Sequence, residues 1–134
     1  ELRGWIGLHK RLRDRLHHGR VWRGEAGDGL HWQFHADADT ADGVLIVLRT
    51  RPSDHRQPPA LRLPMLDVAA RYRVRELRPA GAPRREGRHH TAPFFDAQDS
   101  AEGVTLAGAW LAEVGLPMLR APAETAFIAR IERV

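Results

Sequence analysis

At 134 residues the chain has the length of one domain. It can bury about two thirds of its surface, and it is too short for a complete (β/α)8 barrel of about 250 residues. Twenty of its 21 basic residues are arginine, and with 17 acidic residues they leave a net charge of +4, too slight a balance to point to nucleic acid. Cysteine and asparagine are both absent, which excludes disulfides, thiolate metal sites, cysteine nucleophiles and N-glycosylation sequons.

The segment Leu2–His18 predicts an amphipathic helix. Leu2, Trp5, Ile6, His9, Leu12 and Leu16 recur at spacings of three and four on one face, with Arg3, Lys10, Arg11, Asp14 and Arg15 over much of the rest. Gly19 is expected to close the helix in the left-handed conformation, with His17 and His18 near the negative end of the dipole. No Ser, Thr, Asp or Asn precedes Leu2, so the helix lacks an N-cap. It reads as the last helix of an upstream domain, entered partway.

After Gly19 the period switches to two. Residues 20–23 predict a short strand and 24–29 a turn. Leu30, Trp32 and Phe34 then alternate with His31, Gln33 and His35, as in a half-buried strand. Residues 36–43 form a polar loop, and 44–49 are apolar on both faces, as a central strand covered on two sides would be. These two strands read as a hairpin. Leu61 and Leu63 mark a short strand ended by Pro64, and Tyr72 and Val74 alternate with Arg71, Arg73 and Arg75 in another.

Residues 78–91 carry two prolines, two glycines and four arginines without periodicity and read as a long exposed loop. Residues 93–96 are an edge strand or a turn. Ala107, Trp110, Leu111 and Val114 fit a short helix capped by Gly115, with Trp110 expected in the core. Residues 116–119 are extended, and 125–134 form a closing strand with Phe127, Ala129 and Ile131 on one face. The outline is mainly β: an antiparallel, Greek-key-like β-sandwich preceded by one amphipathic α-helix.

Signs of chemistry are sparse. There is no GxxxxGK[ST], no strand-GxGxxG-helix, no GxSxG and no HExxH. Of the eight histidines, His31 and His35 share a strand face but stand roughly 13 Å apart, too far to hold one ion together. His17–His18 and His89–His90 are adjacent pairs whose rings diverge. Asp37, Asp39 and Asp42 cluster in a turn-like segment, where aspartates make Asx turns and stay solvated. Arg71, Arg73 and Arg75 form a basic row, with Arg84, Arg85 and Arg88 in the loop, but Tyr72 faces away from that row, so no aromatic is interleaved for base stacking. Of the four tryptophans, Trp22 and Trp32 are the candidates for stacking on a sugar ring. Trp5 lies on the apolar helix face, where an upstream domain would meet it.

At this point a family resemblance appears. ELRGWIGLHKRLRDRLHHGRVWR resembles the last barrel helix and first C-terminal strand of the α-galactosidases of glycoside hydrolase family 36. The His-x-Gly-Arg-apolar turn of that family is matched by His17, Gly19, Arg20 and Val21. LRLPMLDVAARYRV is similar to its Leu-Asp followed by a Tyr-Arg-Val strand. TLAGAWLAEVGLPML is similar to its Gly-x-x-Leu-x-x-x-Gly-Leu stretch, and AETAFIARIERV to its closing strand.

The resemblance implies a parent with an N-terminal β-supersandwich, a catalytic (β/α)8 barrel and a C-terminal β-sandwich. It also implies a retaining mechanism run by two aspartates in the barrel. The motifs that carry those aspartates are not in this sequence, so no catalytic residue is assigned here.

The expected organisation is therefore residues 1–19 as the terminal helix of an upstream catalytic barrel and 20–134 as a C-terminal β-sandwich domain. The domain itself is expected to be non-catalytic. Its parent would hydrolyse terminal α-galactosyl residues of oligosaccharides in the bacterial cytoplasm. Trp5, Ile6, Leu12 and Leu16 are the expected interdomain or oligomer contacts. The expected partners are the barrel of the same parent chain and a second copy in a homo-oligomer, with no cofactor, metal, nucleic acid or membrane. The competing readings are a stand-alone carbohydrate-binding module using Trp22 and Trp32, and a basic nucleic-acid-binding domain.

Overall fold

The computed structural model describes residues 2–54, 58–77, 103–118, 123 and 125–134. The expectations for 78–91 and 93–96 lie outside these residues. In chain order the elements are α1 (Leu2–His18), β1 (Arg20–Gly27), β2 (Leu30–Ala36), β3 (Asp42–Arg49), β4 (Arg71–Glu76), β5 (Val104–Ala107), α2 (Gly108–Glu113) and β6 (Thr125–Arg133). The six strands pair antiparallel in the order β1-β2-β3-β6-β4-β5. The C-terminal strand thus threads between β3 and β4 and closes the sheet. This is the mainly antiparallel, sandwich-type fold with an N-terminal helix that the hydropathy pattern predicts.

The alternation of side chains gives the sheet two unlike faces. On the inner face Phe34, Leu45, Tyr72, Val74, Ala129 and Ile131 are fully buried. The layer that covers them is largely irregular. Leu61, Leu63 and Leu66 arrive from the 58–70 segment, and Leu111, Leu116 and Met118 from α2 and the chain after it. Leu61 and Leu116 exchange backbone hydrogen bonds of 2.9 and 2.8 Å as an isolated bridge. The predicted strand at 61–63 is this single bridge, because Pro64 and the turn at 64–66 stop the ladder. Each large side chain buried here contributes about 1.5–3 kcal/mol, and together they are the main reason the sheet folds.

Three local features differ from the sequence reading. First, β1 runs to Gly27 rather than turning at Gly24. The reversal is the two-residue Asp28-Gly29 turn, with φ of 53° and 74°, the type I′ geometry that matches strand twist and favours Asp-Gly. Second, Gly19 does not adopt the left-handed conformation. It is needed for space: a Cβ there would lie 2.7 Å from the Ala36 carbonyl oxygen and 2.9 Å from that of Arg15. Third, β5 precedes α2, and Trp110 is 46% exposed rather than in the core. In a helix this short Leu111 takes the inward position, and its neighbour points about 100° away.

Candidate interface on the N-terminal helix

Helix α1 crosses the outer face of the sheet over β2 and β3. Leu8 is its buried residue, and Leu12, Arg15 and Leu16 on the same side are half-buried. Beneath it, Val44 and His35 are buried although they sit on the outer face. The other side of the helix has nothing over it among the described residues: Leu2 is 74%, Trp5 40% and Ile6 47% exposed. The four residues expected at an interface are therefore divided. Leu12 and Leu16 turn toward the sheet, whereas Trp5 and Ile6 face outward beside Leu2.

Charge fixes the helix at its C-terminal half. Asp42, which opens β3, accepts an ion pair from Arg15 at 2.5 Å. It is also held in a two-pronged contact by Arg130 of β6, through Nε at 3.1 Å and Nη2 at 2.9 Å. The fork geometry makes this stronger than a point contact. Glu132 approaches Arg130 at 3.6 Å and completes a row that ties α1, β3 and β6 together. Asp39 beside it makes the Asx turn expected of this segment, accepting the Ala41 N–H at 3.1 Å, whereas Asp42, expected to stay solvated in the same turn, opens β3 and is held by the two arginines.

A second charged cluster lies at the opposite end of β3. Arg49 is 2% exposed, and its guanidinium donates to the Asp28 backbone carbonyl at 2.7 Å and to the Asp28 carboxylate at 3.3 Å. That carboxylate also accepts the Ser53 hydroxyl and the Asp54 N–H. Asp28 is held down at about pKa 2, chiefly by the Ser53 hydroxyl and the Asp54 N–H, with Arg49 adding to them. A carboxyl so strongly ionised is the reverse of a general acid. The cluster pins the hairpin tip against the 50–54 segment. Asp28-Gly29 was the available sequence signal for it, and Arg49 at the end of an apolar run was the other half.

The two tryptophans considered for sugar stacking face the inner side of the sheet. Trp22 packs against Phe34 with ring centroids 5.9 Å apart, and Trp32 lies over the Gly24 backbone. Both are partly buried against the core. His31 pairs with Glu25 at 3.3 Å, and His35 Nε2 donates to Gln33 Oε1 at 3.2 Å. Among the described residues no group of three His, Asp or Glu side chains could hold a metal ion, and no helix is long and apolar enough to cross a membrane.

No family model matches the sequence, and no curated protein matches it in sequence either. Solved structures do match in fold. The galactosidase domain of the α-galactosidase-sucrose kinase AgaSK superposes with a TM-score of 0.67 at 16% identity, over 96% of this chain and 15% of that one. The family 36 α-galactosidase AgaA from Geobacillus stearothermophilus gives 0.67 at 14% identity with the same coverage. The α-galactosidase from Lactobacillus brevis gives 0.65 at 9% identity, over 96% of this chain and 16% of that one. The chain thus spans about 15% of the length of these proteins and shares its fold with one small portion of them.

Proposed function

We propose that the chain is the non-catalytic C-terminal β-sandwich domain, with its preceding helix, of an α-galactosidase-like glycoside hydrolase. The parent would cleave terminal α-galactosyl residues from oligosaccharides with carboxylates carried elsewhere in its chain. The domain's part is mechanical: α1 grips the sheet with one side and the catalytic barrel with the other. Subunit contacts through the same side are a further role.

One observation carries this reading. The structure superposes, over 96% of the chain, on a small part of several α-galactosidases. The outward Leu2, Trp5 and Ile6 add to it, since burying such side chains stabilises by about 1.5–3 kcal/mol each.

The test is direct. The 134-residue chain should give no turnover of a chromogenic α-galactoside. Titration with galactose or raffinose should change neither tryptophan fluorescence nor heat. Turnover by the purified chain would overturn the non-catalytic role, and saturable sugar binding lost in a Trp32→Ala variant would favour the carbohydrate-binding module.

A further inference from the structure

His35 sits where α1 meets the sheet. It is on the outer face of β2, opposite Val21 of β1 and Val44 of β3, and only 8% exposed. Its Nε2 contacts Gln33 Oε1, while its Nδ1 is buried without a hydrogen-bond partner. The groups around the ring are unusually cationic. Arg15, His17 and His18 come from the last turn of α1. Arg23 projects from the same face of β1, and both Arg23 and His17 disfavour a charge on the ring. The acidic groups of the seam are engaged: Asp42 of β3 by Arg15 and Arg130, and Glu132 of β6 by Arg130. The Leu16 carbonyl at the end of α1 and the Gln33 side-chain oxygen are the neighbours that favour a charged ring.

We propose that the seam between α1 and the sheet is a proton-sensitive latch, closed while His35 is neutral and released when it is protonated. A charge on this buried ring would face Arg23 and His17, while Asp42 and Glu132, the carboxylates of the seam, are held by arginines, and the ring can regain water only if α1 lifts. Burial already presses its pKa below the ordinary 6.5. The unfolded or lifted state therefore binds the proton more readily, so the seam has its full stability above about pH 6.5 and loses it as pH falls below that value. Because α1 also carries Leu2, Trp5 and Ile6, acid would loosen the sheet from whatever the outer side of the helix holds. The latch stands on the seam alone and does not depend on the identity of the parent.

Amide hydrogen-exchange protection factors of the 134-residue chain at about pH 7 and about pH 5 test it. The expected result is a several-fold loss of protection in α1 at the lower pH, with β3 and β6 keeping theirs. A His35→Gln variant should lose the pH dependence. Unchanged protection in α1, an equal loss in the sheet, or the same pH response in His35→Gln would overturn the latch. If that variant does not fold, the proton NMR titration of His35 in the unaltered chain decides: its midpoint must coincide with the loss of α1 protection, and a separate midpoint rejects the proposal.

Discussion

On its inner face the sheet presents Phe34, Leu45, Val74 and Ile131, all fully buried, to a dry layer of leucines. On its outer face α1 covers Val44 and His35, while Leu48 remains 43% exposed and Ile46 and Ile128 are half-buried. One face is held by packing that no solvent change touches cheaply. The other is held by a single helix through Leu8, two half-buried leucines and the Asp42 ion pairs. The lesson is that the domain's stability and its adjustability reside on opposite sides of the same strands. The same residue types, alternating along one strand, serve one purpose or the other according to what lies above them.

The sharpest way to break that contrast is on the inner side. Phe34→Ala should cost about 3–5 kcal/mol by leaving a cavity, read as a fall in the urea midpoint. Asp28→Ala should also lower the midpoint, because it leaves the Arg49 charge without its counter-ion and removes the acceptor of the Ser53 hydroxyl and the Asp54 N–H. Changing both members, Asp28→Ala with Arg49→Met, should recover the part of that loss due to the orphaned charge and leave the part due to the lost Ser53 and Asp54 contacts. A double variant as weak as the single one would show that the pair itself, rather than an orphaned charge, supports the turn.

Acid offers a graded probe of the same cluster. Asp28 is held at about pKa 2 against an ordinary 3.8. Its lowered value favours folding at every pH above 3.8, and that contribution is lost as pH falls from 3.8 toward 2. Urea melts in that window should show the loss in the unaltered chain and not in Asp28→Asn. A matching loss in the variant would assign it to other carboxylates.

On the outer side the effects should be smaller. Arg15→Ala removes a half-exposed ion pair worth about 0–1 kcal/mol. It should lower α1 protection while leaving the sheet's denaturation midpoint nearly unchanged. Leu48→Ser, at an exposed position of β3, should stay within about 0.5 kcal/mol of the unaltered chain. A larger effect would mean that this end of the outer face is covered in solution.

Much of the fold was legible because periodicity reports which side of an element is dry. The spacing of Leu2, Trp5, Ile6, His9, Leu12 and Leu16 located α1, although it is Leu8, outside that set, that the sheet buries, and the alternation of Tyr72 and Val74 with three arginines located β4 and its inward face. The class of fold followed from counting such segments. What was hidden depended on contacts distant in sequence. Arg49 was read within a strand apolar on both faces, and only its meeting with Asp28, 21 residues earlier, makes it a buried pair. His35 looked like a solvent-face histidine until α1 folded over it. The roles of Trp5 and Ile6 were separable from those of Leu12 and Leu16 only once the sheet had claimed one side of the helix. Gly19 was read for its backbone freedom, when the close approach of the Ala36 carbonyl is what requires it.

Reading the coding sequence upstream of the Glu1 codon tests the proposed role most directly. It should continue in frame into alternating strands and helices of a (β/α)8 barrel, with two aspartates at strand C-terminal ends and the barrel's final helix running into Leu2. An upstream sequence encoding an unrelated domain, or an initiation codon immediately before Glu1, would contradict it.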